Sequence, residues 1–258
     1  MTADRPSSLP DVTRPTLPPA RRRVSLRRIR VRHWKGARSV TSDIPHLREV
    51  HVMATTPAGR PADGELHYPA GSLVLLAGIP GAGKSTLLDR LYGLSGDERH
   101  PVRAGEARVI DSRQSRNWWA RYLGPLPPRA RIPIVHTTHV VRIARALLGG
   151  HGVVAHTRGT WPHILYGFAW LARRVGSEVH LILLDVDPAT ARAGQLARGR
   201  VVTDATFARH CRRWRVLMDQ ARDGAVPPAA GVTVLGRPDA DMLRAIRFDE
   251  RPTASRSR

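Results

Sequence analysis

The chain has 258 residues, 41% of them hydrophobic, which is room for one large domain or two small ones with a sizeable core. Its one cysteine, Cys211, excludes an intrachain disulfide and a cysteine-built zinc site, and no apolar run approaches the roughly 20 residues needed to cross a bilayer. The formal charge of +21 points to an acidic partner such as nucleic acid; 12 of the 42 basic and 4 of the 21 acidic residues lie at or before Val52, so an excess of 13 remains beyond it.

Residues 1–65 carry no sustained hydrophobic periodicity and are rich in Pro, Arg, Ser and Thr, with Pro6, Pro10, Pro15, Pro18 and Pro19 early on. Such a segment buries too little apolar surface to offset its ordering entropy, which predicts a disordered, basic N-terminal segment. Within it, Val24–Val31 loosely alternates apolar and arginine residues, as an edge strand or an anion-binding strip would. Arg21-Arg22-Arg23 resembles the start of an export signal, but more arginines follow where an apolar stretch is required, so a cytoplasmic protein is expected. Met53 is an alternative start, some twenty residues before the first clear strand.

From Gly71 the pattern becomes alternating short apolar strands and helical stretches, the mark of an α/β domain, here assigned to 66–248 with a flexible tail at 249–258. Strands are predicted at Leu73–Ala77, Arg108–Ile110, Val153–Ala155, Val179–Leu184 and Val232–Leu235. Helices are predicted near Lys84–Tyr92, Val140–Leu148, Ile164–Val175, Ala189–Arg198 and Phe207–Gln220, with a last one over Asp239–Phe248. Pro125, Pro127 and Pro128 mark a loop.

The first strand runs straight into Gly78-Ile79-Pro80-Gly81-Ala82-Gly83-Lys84-Ser85-Thr86, a match to G-x-x-x-x-G-K-[ST]. The glycines let successive N–H groups turn inward as an anion nest, and the helix that follows points its positive end at the same place. In this arrangement Lys84 reaches the β- and γ-phosphates of a nucleoside triphosphate, the Ser85 hydroxyl ligates Mg²⁺, and Thr86 supports the α-phosphate end. Lys35 and Lys84 are the only lysines in a chain that otherwise uses arginine, and a compact ammonium fits a phosphate cradle where a guanidinium fork would crowd it.

With that loop placed, Leu73 to Leu235 resembles the small P-loop kinases often labelled AAA-family ATP-binding proteins, above all the polynucleotide-kinase-like and zeta-toxin-like phosphotransferases. The resemblance implies a P-loop NTPase fold: a five-stranded parallel sheet with helices on both faces, Mg-ATP as cofactor, and an arginine-bearing lid. It implies an acidic residue after the second strand that takes the proton from a hydroxyl acceptor; Asp111 stands there, with Arg113 and Arg116 placed to steady an anionic acceptor. Asp111 also fits as the cap of the helix that follows. The lid maps to Asp185-Val186-Asp187-Pro188 through Arg198-Gly199-Arg200, with Arg198 and Arg200 gripping phosphate oxygens. Gly194 and Gln195 stand where relatives carry a further arginine, leaving Arg192 as a substitute. A rival reading takes Leu181–Asp185 as a Walker B strand with Asp185 on the metal. After Val153-Val154-Ala155, relatives show a metal-holding aspartate, whereas this chain has His156-Thr157-Arg158-Gly159-Thr160.

Other clusters invite chemistry. His136 and His139 form an i, i+3 pair without a recognisable third metal ligand, which favours a solvent-facing or acceptor-pocket role. Trp118, Trp119 and Tyr122 with Arg116 and Arg121 would stack a nucleobase or, as an amphipathic helix, pack indoles into the core. Phe207, Cys211, Trp214 and Leu217 recur at helical spacing as a core face, opposite Arg209, Arg212, Arg213 and Arg215. Three functions follow: a kinase moving the ATP γ-phosphoryl group to a hydroxyl acceptor, possible acceptors including nucleotides and nucleic acids; a non-kinase ATPase or nucleotide-gated module; and a nucleic-acid-binding protein with an ancillary ATP site.

Overall fold

The computed structural model describes residues 64–157, 162–199, 201–224 and 226–250, all within one compact unit, His51–Arg258. The expectations for Val24–Val31, for a start at Met53, for Arg158–Thr160, for Arg200 and for the tail from 251 onward concern residues outside that set.

Glu65–Tyr68 (β1) opens the described chain, and a turn closed by the Ser72 N–H on the Pro69 carbonyl leads into Leu73–Ala77 (β2). β2 is buried at all five residues, so it needs apolar side chains on both faces and shows no alternation. Lys84–Tyr92 (α1) follows and stops at Gly93, whose left-handed backbone (φ 63°) lets its N–H cap the Asp89 carbonyl. Val102–Ala104 (β3) and Ala107–Ile110 (β4) form an antiparallel hairpin. Then come Ser112–Leu123 (α2), Pro128–Leu148 (α3), Gly152–His156 (β5), Pro162–Arg174 (α4), Val179–Leu184 (β6), Pro188–Leu196 (α5), Asp204–Arg222 (α6), Gly231–Leu235 (β7), Arg237–Met242 (α7) and Ala245–Phe248 (β8).

The main sheet has the order β3-β4-β5-β2-β6-β7. Its five parallel strands are the five predicted ones. β3 adds an antiparallel edge that three residues, Val-Arg-Ala, were too short to announce. The register pairs Leu76 with His156 and Ile182, and Ile110 with Ala155. The phosphate loop, Asp111 and the end of β5 therefore emerge together at the carboxyl edge of the sheet, the end where α/β sheets bind ligands.

Two expectations are corrected. The predicted last helix, Asp239–Phe248, stops at Met242, because Leu243 turns extended (φ −63°, ψ 122°) and the Arg244 N–H bonds to the Gly64 carbonyl. Ala245–Phe248 is instead a strand paired with β1, its Ile246 buried and its Arg247 exposed. The partner strand begins at Glu65, at the edge of the segment expected to be disordered, so its pairing left no local signal. The helix expected at Val140–Leu148 begins at Pro128, since proline is well suited to a first helical turn. No helix among the described residues is long and apolar enough to cross a membrane.

Candidate phosphate-loop site

The loop from Gly78 to Gly83 has the backbone its glycines permit. Gly81 (φ 97°) and Gly83 (φ 92°) are left-handed, and Gly83 is the N-cap of α1 without a side chain to satisfy the helix's first N–H groups. Backbone donors at a helix start are the groups an anion site uses. Lys84 is buried, and its ammonium donates to the carbonyls of Gly78 (2.7 Å) and Ile79 (3.0 Å), which draws the side chain back along the loop.

Asp111 lies 1% exposed at the end of β4. It does cap α2, accepting the Arg113 N–H at 2.7 Å, and it does more. The Arg113 Nε donates to its other oxygen at 3.2 Å, and His156 Nδ1 stands 3.5 Å away. Burial pushes the carboxyl up, but His156, the Arg113 N–H and the nearby Ser85 together outweigh it and hold the group below the usual carboxylate range. Asp185, the rival metal residue, is exposed beyond β6, and its own N–H bonds to the Leu235 carbonyl.

Arg113 braces the site from inside: it pairs with Asp89 as well as Asp111, and its side chain is 16% exposed. Arg116, by contrast, is exposed and close enough to influence His156. Burial pushes the His156 imidazole down, against the lift from its Asp111 contact and with Lys84 and Arg116 adding to the lowering. His139 departs from the expectation of a solvent-facing or acceptor-pocket residue. It is 6% exposed, and its Nε2–H donates to the His156 carbonyl at 2.7 Å. Burial pushes its imidazole down to about 4. It supports β5 from behind.

Helix α5 is capped by Asp187, which accepts the N–H groups of Ala189 and Thr190. α5 lies directly on the phosphate loop. A Cβ at Gly81 would fall 1.9 Å from the Ala191 carbonyl oxygen, and one at Gly194 would fall 2.9 Å from the Gly81 carbonyl oxygen. The missing lid arginine has a steric reason: only a glycine fits at 194. Gln195, 3% exposed, fastens the contact by donating to the Pro80 carbonyl at 2.9 Å and accepting the Val202 N–H at 3.1 Å. Arg198 reaches the loop, donating to the Gly81 carbonyl (3.0 Å) and the Thr86 hydroxyl (3.3 Å). Arg192 is no substitute: it is committed to Asp204 and the Val202 carbonyl. Arg200 lies outside the described residues.

Sequence reasoning missed two neighbours of the loop. Gln195 looked like a mere departure from pattern. Arg237, at the start of α7, has a guanidinium nitrogen 3.8 Å from where a Gly83 Cβ would stand, and nothing local marks a residue so distant in the chain.

No family model and no curated protein matches the sequence. Solved structures similar in shape include a chain of the Pnkp1/Rnl/Hen1 RNA repair complex, at 11% identity over 59% of this chain and 47% of that one, TM-score 0.46. They include a chain of the PezAT chromosomal toxin-antitoxin system of Streptococcus pneumoniae, at 16% identity over 70% and 79%, TM-score 0.42. A gluconokinase from Sinorhizobium meliloti 1021 aligns at 13% identity over 69% and 90%, TM-score 0.39. This chain spans about half the length of the first of these.

Proposed function

We propose that the chain is an ATP-dependent phosphotransferase that moves the γ-phosphoryl group to a hydroxyl acceptor. The observation that carries this reading is the buried Asp111, held by Arg113 at 3.2 Å and standing 3.5 Å from His156.

The donor set fits Mg-ATP. Lys84 and the left-handed glycines frame an anion site, and a hydroxyl beside a carboxylate is the hard-oxygen chemistry that Mg²⁺ prefers. Bound there, the metal would neutralise charge developing on the phosphate oxygens. Lys84 leaves the loop carbonyls for the β/γ-phosphates, the N–H groups at the start of α1 hold the phosphate chain, and Arg198 bears on it from α5. Asp111 accepts the proton of the acceptor hydroxyl, and Arg113 keeps it oriented. His156 stands after β5, where the resemblance places an aspartate near the metal, and its Nδ1 lies 3.5 Å from Asp111.

The test is incubation with γ-labelled ATP and a mixed pool of nucleosides, oligonucleotides, sugars and small metabolites. Label on a hydroxyl-bearing acceptor supports the reading. Label in inorganic phosphate alone makes the chain an ATPase.

A further inference from the structure

Several arginines of the molecule face carboxylates: Arg113 meets Asp89 and Asp111, Arg192 meets Asp204, Arg237 meets Asp241 and Arg247 meets Glu65. One cleft gathers three that do not. Between α2, α3 and the β3–β4 hairpin lies an open cleft of about 630 Å³ whose lining includes Arg108, Arg142, Arg145, His100 and Trp118, and no carboxylate. None of its three arginines has a carboxylate partner among the described residues. Arg142 is half-buried, with only the Ser115 hydroxyl (3.3 Å) and the Trp118 ring (5.9 Å to the centroid) against it. A desolvated guanidinium without a counter-charge is costly, and an arriving anion removes the cost.

A second observation extends the positive strip. In the hairpin Arg103 stands directly opposite Arg108, so two like charges share one face of an antiparallel pair, an arrangement that destabilises a sheet. Arg103's own hydrogen bond goes to the Gly105 carbonyl. A polyanion lying along the hairpin turns that repulsion into attraction. The third feature is the aromatic one: Trp118 is half-buried at the cleft, with the His100 ring set edge-on to it at 4.8 Å. Guanidinium groups that suit phosphates, beside rings that suit a base, describe a nucleotide unit. The cleft is open and its charge continues past it, which favours a polymer over an enclosed small molecule. An unpaired strand is required, because a base inside a duplex presents no free face to an indole.

We propose that this cleft, lined by Arg108, Arg142, Arg145 and Trp118, binds single-stranded nucleic acid at a site separate from the phosphate loop. The arginines hold successive phosphates and Trp118 stacks a base. The Trp119 indole next along α2 is not part of it, since its N–H is committed to Thr138. The proposal does not rest on phosphoryl transfer, and it would stand if the chain only hydrolysed ATP.

The test is fluorescence anisotropy of a labelled oligouridylate of about a dozen nucleotides, within the usual span of single-strand sites, titrated with the full chain across a range of salt. The triple variant Arg108→Gln/Arg142→Gln/Arg145→Gln should bind at least about tenfold more weakly, with a log–log salt slope flatter by about 2, roughly 0.7 per lost phosphate contact. Its ATP affinity should match wild type, and saturating ATP should not displace the oligonucleotide. Trp118→Leu should weaken binding with the salt slope unchanged. Arg145→Glu, a reversal at an exposed position that spares the fold, should weaken binding several-fold even if the triple variant fails to fold. Equal oligonucleotide affinity in wild type and these folded variants would overturn the proposal and leave any binding to arginines elsewhere, such as those before Val52. Displacement by uridine monophosphate at equal phosphate concentration would also overturn it, by making the cleft a small-ligand site.

Discussion

Lys84, Asp111 and His139 show how one side chain's surroundings decide what it can do. The Lys84 ammonium rests on two loop carbonyls, a position that a triphosphate takes over. Lys84→Ala should abolish ATP binding measurable by calorimetry while the protein keeps its circular dichroism spectrum; unchanged affinity in a folded variant would remove the loop from the site. His139 gives a pH prediction. Its folded pKa is depressed, to about 4, so the unfolded chain binds a proton before the folded one does. Stability is full above the ordinary histidine value of about 6.5 and is lost as pH falls toward 4, by on the order of 3 kcal/mol. His139→Gln keeps an N–H for the His156 carbonyl and should flatten that fall in chemical denaturation curves. An unchanged slope in the variant would assign the loss to other groups. Asp111 was legible in the sequence as a cap or a base because both roles follow from its place after a strand. Its nearness to Ser85 and His156 was not, since the register of β4 on β5 and of β5 on β2 brings them together.

Among elements, α5 packs directly on the phosphate loop. A methyl group at Gly194 meets backbone, the Gly81 carbonyl oxygen, so the helix must move rather than a side chain yield. Gly194→Ala should cut single-turnover phosphoryl transfer by about tenfold or more, since shifts near 1 Å can cost more than that. Equal rates would mean that α5 is free to slide. Arg198→Ala should lower kcat more than about tenfold while ATP affinity falls less, because a guanidinium over the loop is rewarded by charge redistributed in the transition state. A collapse of affinity at constant kcat would make Arg198 an ordinary binding residue. The phosphate loop itself could be read from nine consecutive residues because its chemistry is local. The glycine at 194 could be read only as a departure, since its reason is a carbonyl more than a hundred residues away in the chain.

For the whole molecule, two of the strands that escaped sequence reading, β1 and β8, pair across almost the whole described chain, while the third, β3, is a three-residue edge. β1 and β8 join the two ends of the described domain and set the Phe248 ring where a Gly152 side chain would be, 2.7 Å from a Cβ built there. Ile246, 6% exposed on β8, should cost about 2–5 kcal/mol as Ile246→Ala in denaturant unfolding. A loss below about 1 kcal/mol would show that β8 is peripheral to the cooperative unit. The five parallel strands were legible because each is a short, mostly apolar run between helical stretches. Their order brings Lys84, Ser85, Asp111 and His156 to one edge, and that convergence is the ground for assigning phosphoryl transfer. It is tested by following the γ-phosphate of ATP, in single turnover with an acceptor that wild type labels, for wild type and Asp111→Asn, with ATP affinity taken on the same preparations. The expected result is affinity within a few-fold and transfer to the acceptor reduced by about 10²–10⁴, the usual range for a lost general base. Transfer reduced by well under tenfold would contradict it and leave Asp111 as the cap of α2.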